Sequence, residues 1–198
     1  MNPSHTAAHT SRRILDATAE VLGRNGVSKL SLSDVAAEAG VSRPTLYRWF
    51  ASKQDLIEAY SRYETELFET GIAGAMAGLR GIDKLDAALQ FIVAFQQSYS
   101  GLRMVDVEPE QVIARIGSVL PMMRARLEVL IAGADRATAA ATTTRVAISH
   151  YIVRTDDADQ FLAQLRHAAG VKGRSAPASS PTPSSPEQSS PHGRPPER

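Results

Sequence analysis

Side chains suited to binding a polyanion are concentrated between Ser31 and Lys53. The basic residues of this stretch include Arg43 and Arg48, and its hydroxyl residues include Ser42. An arginine can donate two parallel hydrogen bonds to a guanine edge, while hydroxyls and helix N-termini bind phosphate oxygens. The residue types therefore indicate hydrogen bonding to a nucleic acid, with Arg43 as the candidate for reading a guanine. The alternative is that Arg43 and Arg48 are solvated surface charges.

The other chemistry-bearing residue types do not form a catalytic or metal site. The chain of 198 residues has no cysteine, which excludes disulfides and thiol catalysis. Its five histidines stand at positions 5, 9, 150, 167 and 192, and the lack of cysteine removes every Cys-based metal site. The sequence shows no paired carboxylates in a plausible cleft, nucleophile–histidine arrangement or glycine-rich phosphate loop. We therefore expect neither an enzyme nor a bound cofactor or metal.

Two short helices with a tight turn must position the basic residues. Ser31 followed by Asp34 is the pattern of an N-terminal capping box, and Gly40 suits the left-handed backbone that ends a helix. Ser42 can cap the next helix, in whose first turn Pro44 is tolerated. Two helices joined by a short turn containing glycine match a helix-turn-helix, whose second helix enters the major groove of DNA. The residues that would face DNA are Arg43, Pro44, Thr45 and Arg48.

The periodicity of the whole chain is helical, and no strand-like alternation occurs. A helix from Thr10 to a glycine stop at Gly26 precedes the motif, and a helix from Lys53 to about Glu69 follows it. We expect the glycines at 71, 74, 78 and 81 to form a frayed connection, and Pro121 to break or kink a later helix. The predicted fold is all-α. It divides into a flexible arm (1–9), a three-helix helix-turn-helix DNA-binding domain (10–56), a helical effector-binding and dimerisation domain (57–170) and a disordered Pro/Ser-rich tail (171–198).

The charge distribution agrees with this division. The formal net charge is +1 overall, with +2 on residues 1–56 and −3 on residues 57–170. A mildly basic head suits a polyanionic partner. Because the sequence shows neither a secretory signal nor an apolar run of bilayer length, we expect a cytoplasmic protein without a membrane partner.

Residues 10–58 resemble the TetR family of transcriptional regulators. The matching residues are Val35-Ala36, Ala39-Gly40-Val41-Ser42, Thr45-Leu46-Tyr47, Phe50 and Ser52-Lys53-Gln54-Asp55-Leu56. The resemblance implies phosphate contacts by Tyr47, Lys53 and Ser31. Ser33 also joins the DNA-facing set, although some members carry a long basic residue at this place. The remainder of the chain, to about residue 170, matches the family only in length and helicity.

The resemblance also implies an effector pocket in the second half of the chain. Aromatic residues at i, i+4 and i+8 and three methionines form the expected lining, namely Phe91, Phe95, Tyr99, Met104, Met122 and Met123. Gln96, Gln97 and Arg103 would supply polar anchors, and we expect a small apolar effector. The alternative is that these side chains belong to an ordinary helical core.

We expect a homodimer through the helices at 135–153 and 156–169. Alanines permit close packing there, and apolar area comes from Val146, Ile148, Ile152, Phe161, Leu162 and Leu165. The alternative is that these helices only complete the core of one protomer.

The sequence thus predicts a ligand-responsive repressor that binds a palindromic double-stranded DNA operator as a dimer. The alternative is a DNA-binding architectural or scaffold protein on the same fold that has no small-molecule effector.

Overall fold

A computed structural model of the chain describes residues 3–98, 104–153 and 157–171. Over these ranges the backbone forms helices joined by turns and loops, so the all-α prediction is confirmed. The helices are α1 (Pro3–Lys29), α2 (Leu32–Glu38), α3 (Arg43–Trp49), α4 (Lys53–Met76), α5 (Gly81–Ser98), α6 (Met104–Val107), α7 (Pro109–Leu130), α8 (Arg136–Ile152) and α9 (Ala158–Ala168).

Local capping defines the helices of the N-terminal head, α1 to α3. The Ser31 hydroxyl accepts a hydrogen bond from the Asp34 N–H at 3.1 Å, and the Ser42 hydroxyl accepts one from the Thr45 N–H at 3.2 Å. Each bond satisfies one of the amide donors that a helix start leaves without a partner. Gly40 has a φ of +62°, as predicted for the residue that ends α2. The motif is therefore two capped helices joined by a tight turn.

The first helix differs from the prediction at its start, whereas the predicted interruption at Gly26 is confirmed. It begins at Pro3 rather than Thr10, so it includes residues that the sequence assigns to a flexible arm. Gly26, where the sequence predicts the stop, has a φ of +73° and interrupts the helical geometry. Glycine can adopt this backbone conformation without steric cost. Beyond the kink, one more helical turn runs to Lys29.

One apolar core joins the head to the rest of the molecule. Leu46 is fully buried and Phe50 almost so, as predicted for the inner face of the motif. Met104 and Val105 of α6 and Val112 of α7 are buried in the same cluster. Burying a side chain of this size contributes about 1.5–3 kcal/mol. The head is thus packed directly against α6 and α7.

Helix α4 is longer than predicted, because the expected frayed connection at its glycines is wrong. The helix continues through Gly71 and Gly74 to Met76. Gly71 lies against the ring of Phe91 on α5, and a Cβ placed there would lie 2.5 Å from the ring atom Cζ. The glycine therefore allows two helices to approach closely. It does not end α4.

Of the two alternatives predicted for Pro121, the break is wrong, because Pro121 lies inside α7, which runs from Pro109 to Leu130, and the kink stays a prediction. A proline inside a helix removes one hydrogen bond and crowds the carbonyl four residues earlier, which here belongs to Gly117. Gly117 and Pro121 are both exposed, so water can solvate the carbonyl that loses its partner.

A second core holds α5, α7, α8 and α9 together. The side chains of Phe161 and Leu165 are completely buried in this core. The expectation that these two residues supply area between copies of the chain is therefore wrong. At its edge, Arg166 of α9 donates two hydrogen bonds to the buried carboxylate of Asp86 on α5, at 2.6 and 3.0 Å. This ion pair fixes α9 on α5.

Candidate nucleic-acid interface

Helix α3 presents a basic, open face above a buried anchor. Arg43 and Arg48 are exposed, while Leu46 between them is 0% exposed and fixes the helix on the head. The helix contains no acidic residue. Tyr47 and Trp49, which are 53% and 38% exposed, add aromatic surface to this helix. The arrangement leaves the cations and aromatic side chains of α3 accessible to a partner, while buried Leu46 fixes the helix on the head.

The predicted hydroxyl residues serve first as structural caps. The Ser42 hydroxyl caps α3 and lies 2.8 Å from the hydroxyl of half-buried Thr45, whereas Pro44 beside them is exposed. Ser31 caps α2, and Ser33, the second residue of the same helix, is half-buried. Because a hydroxyl that accepts a cap bond keeps its own proton for donation, the caps stay compatible with phosphate binding.

Lys53, the first residue of α4, is already engaged within the chain. Its Nζ donates a hydrogen bond to the backbone oxygen of Ser28 at 3.0 Å. An ammonium group has three donors, so one bond to a carbonyl leaves two for a phosphate. Lys53 therefore joins the last turn of α1 to the start of α4.

Two arginines of α1 serve structural contacts that the residue types alone do not reveal. Arg13 donates to the carbonyl oxygen of Ala39 at 2.5 Å and so satisfies the C-terminal end of α2. Arg12 donates to the hydroxyl of Tyr63, which in turn donates to the Asp16 carboxylate at 2.6 Å. Burial, followed by the hydrogen bond to Asp16, raises the pKa of Tyr63. These bonds fix α1 against α2 and α4.

The segment 26–28, at the C-terminal end of α1, makes a contact that the sequence does not predict. The carboxylate of Glu108, directly before α7, accepts hydrogen bonds from the backbone N–H groups of Val27 at 2.7 Å and Ser28 at 2.8 Å. Hydrogen bonding by Ser28 and Val27, together with the charge of Lys53, holds the pKa of Glu108 below its ordinary value, against the effect of burial. Residues separated by 80 positions are thereby joined.

A cavity of about 240 Å³ lies between α1, α4 and α5. Its lining combines aromatic rings and carboxylates: Asp16, Ala19, Glu20, Tyr60, Tyr63, Glu64, Leu67, Phe95 and Ser98. Glu64 also accepts a hydrogen bond from Arg115 of α7 at 2.6 Å. The cavity therefore contacts the head and both helices that follow it.

The predicted effector residues do not form one site. Phe95 lines the cavity, and Phe91 packs with it and with Phe68 at centroid distances of 5.8 and 5.5 Å. Met104 is buried in the core of the head. Met122, 47% exposed, and half-buried Met123 lie on α7, away from the cavity lining. Tyr99 lies outside the described residues.

Among the predicted polar anchors, Gln96 has one unsatisfied atom. Its amide nitrogen donates to the carbonyl of Ala147 on α8 at 3.2 Å, while its Oε1 is buried without a hydrogen-bond partner in the described part of the chain. Gln97 is exposed, and Arg103 falls in a range that the structure does not describe.

The described residues form neither a metal site nor a membrane-spanning helix. Across residues 3–98, 104–153 and 157–171, no three His, Cys, Asp or Glu side chains come together as a metal site. No helix in these ranges combines the length and hydropathy required to cross a lipid bilayer.

Residues 14–60 match the family model described as bacterial regulatory proteins, tetR family. An uncharacterized HTH-type transcriptional regulator of Mycobacterium tuberculosis is 30% identical over 129 residues, which cover 58% of this chain and 54% of the relative. HTH-type transcriptional repressor LfrR of Mycolicibacterium smegmatis is 36% identical over 89 residues, covering 44% of this chain and 43% of LfrR. The chain spans about half the length of the curated relatives it matches.

Solved structures share the fold over a larger part of the chain. A TetR-like transcriptional regulator from Rhodococcus sp. RHA1 superimposes with a TM-score of 0.66 at 21% identity, covering 83% of this chain and 97% of that chain. SCO4454, a TetR-family transcriptional regulator from Streptomyces coelicolor, gives 0.63 at 22% identity, covering 86% of this chain and 96% of that one. At these identities the likeness concerns the fold alone.

Proposed function

Because the chain belongs to the TetR family of bacterial regulatory proteins, we propose that it regulates transcription by binding a specific DNA sequence through α3. The observation that carries this proposal is the exposed basic face of α3 above buried Leu46. A helix of this kind fits the major groove, where Arg43 and Arg48 can reach base edges. Tyr47, Lys53 and the N-terminus of α2 at Ser31 would contact the phosphates on either side.

We propose that two copies bind a palindromic operator. A dimer with two-fold symmetry presents one recognition helix to each half-site. The surface of α8 supports this arrangement, since Ala141, Arg145, Ile148 and Ile152 lie along one helix face and are half-buried or exposed in the single chain. On α9, Leu162 is half-buried beside the protomer core.

We further propose that the regulator is a repressor released by a small molecule. The cavity between α1, α4 and α5 supports this proposal, because a ligand there would contact the head and the helices behind it at once. Its lining includes the carboxylates of Asp16, Glu20 and Glu64 beside the rings of Tyr63 and Phe95. Such a lining fits an amphiphile with a basic group better than a purely apolar effector.

Selection of bound sequences from a random DNA pool tests the DNA-binding proposal. The expected result is a single palindromic site with half-sites about one helical turn apart. A selected pool without a shared motif would contradict sequence-specific regulation and favour an architectural role on the same fold.

A panel of aromatic amines and of fatty acids of similar size tests the effector proposal by thermal unfolding. We expect stabilisation by amines, and we expect it to be lost when Phe95 is replaced by alanine. Stabilisation by neither class would favour a regulator or scaffold without a small-molecule effector. Replacing exposed Leu79, which does not line the cavity, is the matched control.

A further inference from the structure

Glu108 uses its carboxylate across the molecule instead of at its own helix. It stands at the N-cap position of α7, yet its side chain makes no capping hydrogen bond there. Its two oxygens instead accept from the consecutive N–H groups of Val27 and Ser28. Hydrogen bonds to a charged acceptor are short and directional, and they are stronger than those between neutral groups. The contact therefore defines an orientation that apolar packing alone would leave less restricted.

The backbone at Gly26 is shaped to admit this carboxylate. A Cβ on Gly26 would lie 2.5 Å from Cδ and 2.8 Å from Cγ of Glu108, closer than side chains can pack. Gly26 also has a φ of +73°, which other residues rarely adopt. Glycine is thus required here for two independent reasons, its positive φ and the space that Glu108 occupies beside it.

The segment 26–28 also makes hydrogen bonds to Lys53 and Gln111. Lys53 donates to the backbone oxygen of Ser28, and Gln111 of α7 reaches the Ser28 hydroxyl at 3.5 Å. Residues 26–28 are therefore fixed between the start of α7 and the start of α4. Three residues later the chain reaches Ser31, the cap of α2 and a proposed phosphate contact.

We propose that Glu108 is a positioning residue for DNA recognition, which sets the angle of the head, and thereby of α3, on the rest of the protomer. In a dimer this angle determines the distance between the two recognition helices. The inference rests on the proposed function, because it assigns a role within operator binding. The contact also provides a mechanism for regulating DNA binding, because a displacement of α7 relative to α1 that breaks both hydrogen bonds would release the angle of the head.

The test compares Glu108→Gln and Glu108→Ala with the wild type on three DNA duplexes. One carries the selected operator, one carries the same half-sites moved apart by one base pair, and one carries a single half-site. Glu110→Gln is the matched control, because Glu110 is exposed in the first turn of α7 and makes no hydrogen bond or ion pair within the described residues.

We expect both Glu108 variants to bind the single half-site within about twofold of the wild type. Their preference for the correct spacing should fall by about three- to tenfold, the effect of losing roughly one net charge-assisted hydrogen bond. In Glu108→Gln, the amide protons of Val27 and Ser28 should exchange faster with solvent while the core of the head stays protected. Glu110→Gln should change neither the spacing preference nor the exchange.

An unchanged spacing preference in both Glu108 variants would overturn this inference, and so would an equal loss in Glu110→Gln. Unchanged protection of the two amides in Glu108→Gln would overturn it independently, even if Glu108→Ala fails to fold. Binding of the wild type to DNA distinguishes this outcome from failure of the proposed function. If the wild type binds neither the operator nor the single half-site, DNA recognition itself is refuted.

Discussion

Replacing Gly71 by alanine tests whether the close approach of α4 and α5 depends on the absence of a side chain. Gly71 lies inside α4, where alanine would ordinarily stabilise the helix by up to about 1 kcal/mol. The added methyl would, however, overlap two ring carbons of Phe91. The sign of the change in unfolding free energy therefore depends on whether that ring can move.

The surroundings of Phe91 restrict such a movement. Its ring packs against Phe68 and Phe95 at centroid distances of 5.5 and 5.8 Å, so a shift disturbs both contacts. Overpacking of this kind costs about 1–3 kcal/mol. After subtracting the gain in helix propensity, we expect Gly71→Ala to lower the free energy of unfolding by up to about 2 kcal/mol.

Urea denaturation followed by circular dichroism measures this difference. Gly74→Ala is the matched control, because it lies in the same helix and a Cβ there meets nothing within 4 Å. We expect that variant to gain about 0.5–1 kcal/mol. A gain for Gly71→Ala as large as that for Gly74→Ala would refute the reasoning. Recovery of part of the loss in the double variant Gly71→Ala, Phe91→Leu would support it.

Three further predictions concern stability. Arg166→Met should lower the free energy of unfolding in urea by about 3–5 kcal/mol, because it leaves the carboxylate of Asp86, 2% exposed, buried without its cation; a loss below about 1 kcal/mol would show that the pair is unimportant. Ser42→Ala should lower the thermal midpoint through loss of the α3 cap, worth about 1 kcal/mol, whereas Ser42→Asp should keep it. Because the folded-state pKa of Glu108 is lowered, its stabilising contribution is present above the unfolded value of about 4.5 and is lost as pH falls through the folded value. Thermal midpoints of Glu108→Gln should therefore fall less than those of the wild type on acidification, and equal falls would contradict the assignment.

The features that the sequence predicts correctly depend on neighbouring residues. Ser31 and Ser42 bond to amides three positions away, and Gly40 needs only its own backbone freedom. All the residues that form these features lie within about one helical turn of each other, so the local sequence is sufficient to predict them. The exposed face of α3 also follows from local periodicity once buried Leu46 is identified.

The features that the sequence misses depend on distant partners. Gly71 resembles a helix breaker until Phe91, 20 positions later, is placed against it. Phe161 and Leu165 look equally suited to a core or an interface, and only packing within the protomer decides between them. The bonds from Val27 and Ser28 to Glu108 have no local signature at all.

The most direct test of the central claim measures how Arg43→Ala binds a set of operators, each changed at one base pair. If α3 reads the major groove, the variant should lose discrimination at one or two positions, by about 1–3 kcal/mol, and should keep it elsewhere. Arg124→Ala, which removes an exposed arginine of α7 outside the proposed DNA and dimer surfaces, is the control for a general effect of charge. A uniform loss of affinity across all the operators would contradict base reading by Arg43 and with it the proposed role of α3.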